Sequence, residues 1–149
     1  MDVDVSTEIV IGRPSADVSA YASNPDNVPA WYANIKSVEW KTPRAVSVGA
    51  RIAFVAHFLG RRIAYTYEIA ELVPGKRLVM RTAEGPFPME TTYTWERVAD
   101  GKTRMTLRNR GTPAGFSKWM APFMTFAIRR ANKKDLALLK KRLESRASG

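Results

Sequence analysis

The chain has no cysteine and a single histidine, His57, among its 149 residues. It also lacks the HExxH, GxSxG, GxGxxG and Walker patterns that mark metal, acyl-transfer and nucleotide sites. Disulfides are therefore excluded, thiol and triad chemistry lack their parts, and neither a metal nor a cofactor is expected. His57 can serve as a general acid or base only if it faces the interior, and the strand pattern described below predicts that it points outward.

Long apolar runs are missing as well. The sequence contains no 20-residue apolar span, no secretory leader, no low-complexity tract and no internal repeat. A chain of this length can bury a substantial core on its own. We therefore expect one soluble, cytoplasmic domain that spans residues 1–149.

The N-terminal quarter predicts one strand followed by two short helices. Strand-like alternation runs through Val3–Ile11, and Arg13-Pro14-Ser15 opens a helix because proline suits a first turn whose amide has no partner. Val18 and Tyr21 should face inward from this helix. A second short helix follows Asn24-Pro25-Asp26 and should end near Trp31-Tyr32, where apolar-polar alternation resumes.

The rest of the chain predicts a sheet and its cover. Six strand-like runs separated by turn signals occupy residues 35–110, and one helical pattern without an internal glycine occupies residues 116–145. Strands that come first and a long helix that comes last are typical of an α+β fold with an antiparallel sheet. The two short helices cannot cover such a sheet, so the terminal helix should lie across it.

Two hairpin turns predict which side chains face the interior. Gly60 in Leu59-Gly60-Arg61-Arg62 suits the first central position of a type II′ turn. That register predicts four inner pairs: Phe58 with Ile63, Ala56 with Tyr65, Phe54 with Tyr67, and Ile52 with Ile69. At Ala99-Asp100-Gly101, only a three-residue loop with Gly101 in the left-handed conformation keeps apolar residues on one face. It predicts the pairs Trp95 with Met105, Tyr93 with Leu107, and Glu96 with Arg104.

The predicted inner face mixes large aromatic side chains with small or polar ones. It holds Phe54, Ala56, Phe58, Tyr65, Tyr67, Leu78, Met80, Thr82, Glu84, Thr91, Tyr93 and Trp95. The terminal helix adds a stripe at three- and four-residue spacing: Phe116, Trp119, Met120, Phe123, Met124, Ala127, Ile128 and Ala131. Tyrosine hydroxyls in such an interior need partners, which a cavity with water or a ligand would supply. A filled core is the alternative.

The order of elements and one long motif resemble a known superfamily. The run RPSADVSAYASNPDNVPAW, followed by EIAELVPGKRL, GPFPMETTYTWE and DGKTRMTLRN, resembles the START-like (SRPBCC) superfamily of polyketide cyclases, lipid-transfer domains and birch-pollen-allergen relatives. The resemblance covers nearly the whole chain. It implies a helix-grip fold, in which a seven-stranded antiparallel sheet wraps around the C-terminal helix and encloses a cavity for an apolar small molecule. It implies no catalytic site, because catalytic residues differ between members.

Combining this implied cavity with the predicted faces gives a set of candidate ligand-binding residues. They are Trp31, Phe54, Ala56, Phe58, Tyr65, Tyr67, Met80, Thr82, Tyr93, Trp95, Met120, Phe123, Met124 and Ala127. The Trp31-Tyr32 pair and residues 85–89 are candidates for an apolar portal, although the pair could equally plug the sheet.

Candidate chemical groups are few. Tyr65, Tyr67 and Tyr93 could orient a ligand carbonyl or phenol, or hold an enolate in a cyclase, and ordinary aromatic packing is the alternative. Glu84 would become a proton carrier if it were buried, but a carboxylate at a strand end beside a loop is more often wet. Arg108 and Asn109, at the end of the last strand, could close the pocket.

Positive charge is concentrated in the terminal helix. Nine of the chain's 24 Lys and Arg residues lie from Lys118 onward, against only Asp135 and Glu144, and the whole chain has a net charge of +10. Such a helix could contact anionic lipid headgroups or an acidic protein. Nucleic acid is a weaker alternative, because the aromatic residues map to the interior rather than between the cations. A solvated helix face explains the same pattern.

Three functions remain open from the sequence. The favoured one is a non-catalytic protein that binds or carries a hydrophobic molecule such as a lipid or polyketide. The second is a polyketide cyclase or dehydratase that acts in the same cavity, which requires a buried ionisable group. The third is a partner-binding module that uses the basic helix.

Overall fold

The computed structural model describes residues 3–112 and 121–146. The elements are β1 (Val3–Ile11), α1 (Ser15–Ser23), a 3-10 turn (Pro25–Asn27), α2 (Val28–Trp31), β2 (Ile35–Trp40), β3 (Arg51–Phe58), β4 (Arg61–Val73), β5 (Arg77–Glu84), β6 (Met89–Ala99), β7 (Lys102–Gly111) and α3 (Ala121–Arg146). Phe116, Trp119 and Met120, assigned above to the inner stripe of the terminal helix, lie outside the described residues.

All seven strands form one antiparallel sheet in the order β1-β7-β6-β5-β4-β3-β2. The strands β1 and β2 are thus the two edges, and α1 and α2 carry the chain from one edge to the other. Helix α3 packs against β1 and α2. The predicted α+β fold, with a seven-stranded sheet, two short helices after β1 and a long C-terminal helix, is confirmed.

Local chemistry explains why the crossover forms two short helices. Pro14 occupies the N-cap of α1, and Val18 on its inner side is fully buried, while Tyr21 is half-buried against the core. The Asn24 side chain accepts a hydrogen bond from the Asp26 amide (3.0 Å), which opens the 3-10 turn. The Asn27 side-chain amide donates to the Tyr21 carbonyl (3.1 Å) and ties the turn back to α1.

The β3–β4 register differs from the prediction by two residues. Leu59 and Gly60 form the loop, and both have positive φ, 51° and 75°, which is the type I′ pattern rather than type II′. The observed pairs are Ile52 with Tyr67, Phe54 with Tyr65, Ala56 with Ile63, and Phe58 with Arg61. Gly60 takes the second central position, and Leu59 accepts a conformation that is unusual for a branched side chain. A two-residue shift preserves the faces, so His57 is exposed on the outer face as predicted.

The β6–β7 register agrees with the prediction. Trp95 lies opposite Met105, Tyr93 opposite Leu107, and Glu96 opposite Arg104. Gly101 is left-handed, with φ of 65°. The loop itself differs from the prediction: Ala99 pairs with Lys102, so only Asp100 and Gly101 form the turn, and the register shifts between Arg97 and Ala99. This bulge takes the place of the third loop residue and so preserves the predicted pairs.

The two halves of α3 pack differently. Its C-terminal half buries Leu136, Leu139 and Leu143 in the main apolar cluster with residues of the sheet, α1 and α2. Polar contacts fix this end: the Gly12 amide donates to Glu144 Oε2 (2.7 Å), and Arg13 Nη1 donates to the Leu143 carbonyl (2.7 Å). The N-terminal half contributes Met124 to a separate, smaller cluster with Val3 and Val5 on β1. The buried apolar residues are therefore divided into two groups.

Candidate ligand cavity

A cavity of about 190 Å³ lies between the two apolar clusters. Its walls come from the inner face of β3 to β7, from the α2–β2 connection and from α3. Eight of the residues predicted from the sequence line it: Phe54, Ala56, Phe58, Tyr65, Tyr67, Met80, Tyr93 and Met124. The mixture of large and small inward side chains on the sheet thus leaves space, as expected, rather than a filled core.

The other predicted residues lie elsewhere. Trp31 and Trp95 are buried but do not line the cavity. The Thr82 hydroxyl is engaged by the Met89 backbone, accepting from its amide at 2.9 Å and donating to its carbonyl at 3.2 Å. Ala127 is half-buried away from the cavity, and Met120 lies outside the described residues.

The prediction that Phe123 faces the sheet is wrong, because its side chain is 55% exposed. The inner stripe of α3 runs instead through Met124, Ile128, Ala131, Asn132 and Asp135, at spacings of four, three, one and three residues. Phe123 fits the three- and four-residue spacing of the predicted stripe, but that spacing also admits neighbouring helix positions, and the inward face includes Met124 and not Phe123. Phe126 is likewise exposed, at 60%.

The portal prediction for Trp31 is also wrong. Trp31 is 0% exposed, and its ring packs 4.4 Å from the Tyr32 ring and 5.7 Å from the Tyr93 ring, measured between centroids. It plugs the sheet, which was the alternative. Tyr32 does reach the cavity, and the loop at 85–89 contributes Phe87 and Met89 to its wall.

Three aromatic rings form one wall of the cavity. Phe54 and Tyr65 face each other across β3 and β4, with ring centroids 5.6 Å apart, and Tyr67 packs edge-on to Tyr65 at 4.9 Å. The Tyr67 hydroxyl shares a hydrogen bond with Thr91 Oγ1 (2.8 Å), and Thr91 in turn donates to Asn109 Oδ1 (2.7 Å). Asn109, one of the residues expected to close the pocket, therefore lines the cavity as part of this chain of hydrogen bonds.

The tyrosine hydroxyls serve as neutral hydrogen-bonding groups. Those of Tyr32 and Tyr93 lie 2.8 Å apart and share one hydrogen bond, whereas the Tyr65 hydroxyl has no partner among the described residues. Burial raises the pKa of Tyr67 to about 12 and raises the pKa values of Tyr32, Tyr65 and Tyr93 as well. These phenols stay protonated at neutral pH and cannot act as bases there.

Sequence reasoning missed two polar cavity residues on α3, Asn132 and Asp135, and Asp135 is the ionisable one. It is 3% exposed, lines the cavity, and its Oδ1 accepts a hydrogen bond from the Ala33 amide (3.1 Å). Burial raises the pKa of its carboxyl to about 6, against the opposing effects of that hydrogen bond and of the Lys134 charge. The signal was present in the sequence, because Asp135 continues the stripe of Ile128 and Ala131. It was counted instead as a surface counter-charge of the basic helix.

The opposite rim of the cavity holds a paired carboxylate. Glu90 accepts hydrogen bonds from Arg81 Nε (2.7 Å) and from Arg110 Nη2 (2.7 Å), and the Arg81 bond is the main cause that lowers the pKa of Glu90. Arg108, another residue expected to close the pocket, points to the outer face and pairs with Asp4. Glu84 is exposed, as expected for a wet carboxylate at a strand end.

These features define a class of protein. A curled antiparallel sheet closed by a C-terminal helix around an apolar cavity is the helix-grip arrangement of START-like proteins. The protein TTHA0849 from Thermus thermophilus superposes with a TM-score of 0.82 at 20% identity, over 98% of this chain and 99% of that one. The Zhui aromatase/cyclase from Streptomyces sp. R1128 gives 0.82 at 13% identity, over 99% and 96%. A START superfamily protein from Mycobacterium smegmatis gives 0.80 at 11%, over 95% and 97%.

The amino-acid sequence identifies the family as well as the fold. The chain belongs to the polyketide cyclase / dehydrase and lipid transport family, whose sequence profile matches residues 2–144. The resemblance to the START-like superfamily is confirmed. No curated protein matches the sequence closely enough to count as a relative. Across the described ranges, no helix has both the length and the apolar character that a membrane span requires.

The raised pKa of Asp135 predicts a pH-dependent cost to stability. The folded carboxyl keeps its proton up to about pH 6, whereas its ordinary value is 3.8, so its contribution to stability falls as pH rises through this window. Asp135→Asn, which retains an acceptor for the Ala33 amide, should therefore be more stable than the wild type at pH 8, by on the order of 2–3 kcal/mol. The difference should vanish near pH 4.

Chemical denaturation of both proteins between pH 4 and pH 8 measures this difference. Asp100→Asn is the control, since Asp100 lies in the exposed β6–β7 turn, where it pairs with Arg97, and loss of an exposed ion pair should give only a small change. A stability difference for Asp135→Asn that stays constant with pH would show that the folded carboxyl titrates normally.

Proposed function

We propose that the protein binds a hydrophobic small molecule in the cavity between its sheet and α3. Family membership and fold indicate either a hydrophobic-ligand-binding domain or a polyketide cyclase-type domain. The observation that carries the proposal is the cavity itself: a space with aromatic and aliphatic walls that the Phe54, Tyr65 and Tyr67 rings border without filling. Concave, mostly apolar space with a few polar groups is the usual form of a small-molecule site.

Cavity size sets the scale of the ligand. A dry cavity of about 150 Å³ accepts benzene, and sites for drug-sized molecules begin at about 300 Å³. A volume of about 190 Å³ suits a molecule of one or two rings, or a short acyl chain. Longer cargo would require the walls to separate, for example at the half-buried lining residues Phe58, Ile63 and Ile128.

A cyclase or dehydratase is the second candidate, and Asp135 favours it. Ring closure of a poly-keto chain needs a base to remove a proton between two carbonyls, after which the enolate carbon attacks a further carbonyl and the new alkoxide takes up a proton. A carboxyl with a pKa of about 6 is suited to both transfers, and the Tyr32–Tyr93 hydroxyl pair can donate to the developing oxyanion.

The enzyme candidate differs from the carrier in one measurable respect. Turnover of a linear poly-β-keto thioester, lost in Asp135→Asn while binding persists, would establish the enzyme. Binding without turnover would support the non-catalytic carrier instead.

The outer face of α3 supports transient contact with an anionic membrane. Phe123 and Phe126 are 55% and 60% exposed, and Arg130, Lys133 and Lys134 continue the same exposed stripe toward the C-terminus. Exposed aromatic rings followed by cations are typical of helices that lie in a lipid headgroup layer. Met124, which adjoins Phe123, lines the cavity, so this surface borders the ligand site. An acidic protein partner would explain the exposed cations, but it would not explain the two exposed phenylalanine rings.

Filling the cavity should abolish ligand binding. Ala56→Trp places an indole among Phe54, Tyr65 and Met124, and it should weaken naphthalene binding by at least about tenfold in equilibrium dialysis. Ala64→Trp is the matched control, since Ala64 lies on the exposed outer face of the same hairpin. Equal affinities for the two folded variants would place binding outside the cavity.

Membrane contact should depend on both the rings and the charges. The wild type should bind phosphatidylserine-containing vesicles and not pure phosphatidylcholine vesicles. The double variant Lys133→Gln/Lys134→Gln should weaken binding by about thirtyfold, since each lysine contributes on the order of 1 kcal/mol near such a surface. The double variant Phe123→Ser/Phe126→Ser should weaken it by at least about tenfold, since it removes two apolar rings from the contact. Co-sedimentation measures the effect. If the serine variant binds as the wild type does, the helix recognises charge alone, which an acidic protein partner would explain better.

A further inference from the structure

One end of the cavity is polar and lacks a counter-charge. Asn132 and Asp135 lie three residues apart on α3, hence on one face, are 4% and 3% exposed, and both line the cavity. Asp135 forms no ion pair with any described residue. Lys134 is exposed on the outer side of the helix, and Arg110, the cation of the cavity lining, is held by Glu90.

The hydrogen bonds at this end are incomplete. A carboxylate can accept about four hydrogen bonds, and Asp135 accepts one, from the Ala33 amide. The Asn132 Nδ2 is buried without a partner among the described residues. A half-turn about the last side-chain bond exchanges the two ends of this amide, so Asn132 can present either a donor or an acceptor to the cavity. The hydrogen bond between the Tyr32 and Tyr93 hydroxyls uses one of their two protons, and the other proton can be donated to a ligand.

Buried polar groups without partners are costly, and the residues present define what would satisfy them. A ketone or an ether only accepts hydrogen bonds, so it would serve Asn132 and leave Asp135 unmatched. An ammonium only donates, so it could contact Asp135 and the Asn132 Oδ1, but whichever way the amide is turned it offers no acceptor to the Asn132 Nδ2. A hydroxyl does both, because its proton can be donated to Asp135 while its oxygen accepts from Asn132.

We infer that the ligand carries a hydroxyl, as a phenol, enol or alcohol on an apolar body, and that this group docks between Asn132 and Asp135. The inference rests on the proposed function, since it concerns the polar end of the same cavity. The hydroxyl lies against α3, and the apolar body lies toward the wall formed by Phe54, Tyr65 and Tyr67.

A matched ligand series tests this assignment. Equilibrium dialysis at pH 7 would compare naphthalene, 2-naphthol and 2-methoxynaphthalene, which share a ring system and differ in the ability to donate a hydrogen bond. We expect 2-naphthol to bind about tenfold more tightly than the other two, the range for a hydrogen bond to a charged group. Asp135→Asn and Asn132→Leu should each reduce this preference, measured as the ratio of 2-naphthol affinity to naphthalene affinity within each variant. Lys134→Gln, beside Asp135 but on the outer face, is the control and should keep the preference.

The outcomes separate the inference from the function on which it rests. Equal binding of 2-naphthol and 2-methoxynaphthalene by the wild type would overturn the hydroxyl assignment while the apolar site stands. Tighter binding of 2-naphthylmethylammonium than of 2-naphthol would overturn it in favour of a cationic ligand. If none of these molecules bound, the cavity proposal itself would fail. The wild-type series decides these cases even if a variant does not fold.

Discussion

The packing of α3 is the constraint on which the rest of the structure depends. Leu136, Leu139 and Leu143 at its C-terminal half fill the space above the sheet completely, and the contacts of Glu144 with Gly12 and of Arg13 with the Leu143 carbonyl fix that end in place. The other half reaches over the same curved sheet with smaller or polar side chains, among them Ala131 and Asn132. One helix thus closes the core at one end and leaves a cavity at the other.

The sheet contributes to the same division. Phe54, Tyr65 and Tyr67 on β3 and β4 pack against one another, and the Tyr67–Thr91–Asn109 chain of hydrogen bonds runs along the cavity lining beside them. Most of the polar groups in the wall are therefore satisfied by the protein. Two groups with unused hydrogen-bonding capacity, Asn132 and Asp135, lie together on α3, and the Tyr65 hydroxyl on the wall also lacks a partner among the described residues. This asymmetry gives the cavity an apolar side and a polar end, and so an orientation for whatever binds there.

Sequence reasoning predicted the architecture well because turn residues and alternation are local signals. The Gly101 turn fixed the β6–β7 register, and the type I′ turn at Leu59-Gly60 shifted β3–β4 by two residues without exchanging its faces. The inward face of helix α3 was harder to predict, because a helix has no paired strand whose register tests the assignment. Phe123 was placed inward because it fits the helical spacing of the apolar stripe, whereas the true inward face includes Asp135, a buried residue whose carboxyl accepts a hydrogen bond from the Ala33 amide of a distant segment. A hydrogen bond between residues 33 and 135 leaves no local trace in the sequence.

The central claim is that the cavity holds an apolar molecule, and native mass spectrometry of freshly purified wild-type protein tests it most directly. The account predicts an adduct of defined mass that survives gentle desorption, and solvent extraction should release a small molecule with an apolar body and a hydroxyl. The claim would be contradicted by two results together. The protein isolated from its native cells would carry no adduct, and it would gain none when an extract of the lipids and small molecules of those cells is added.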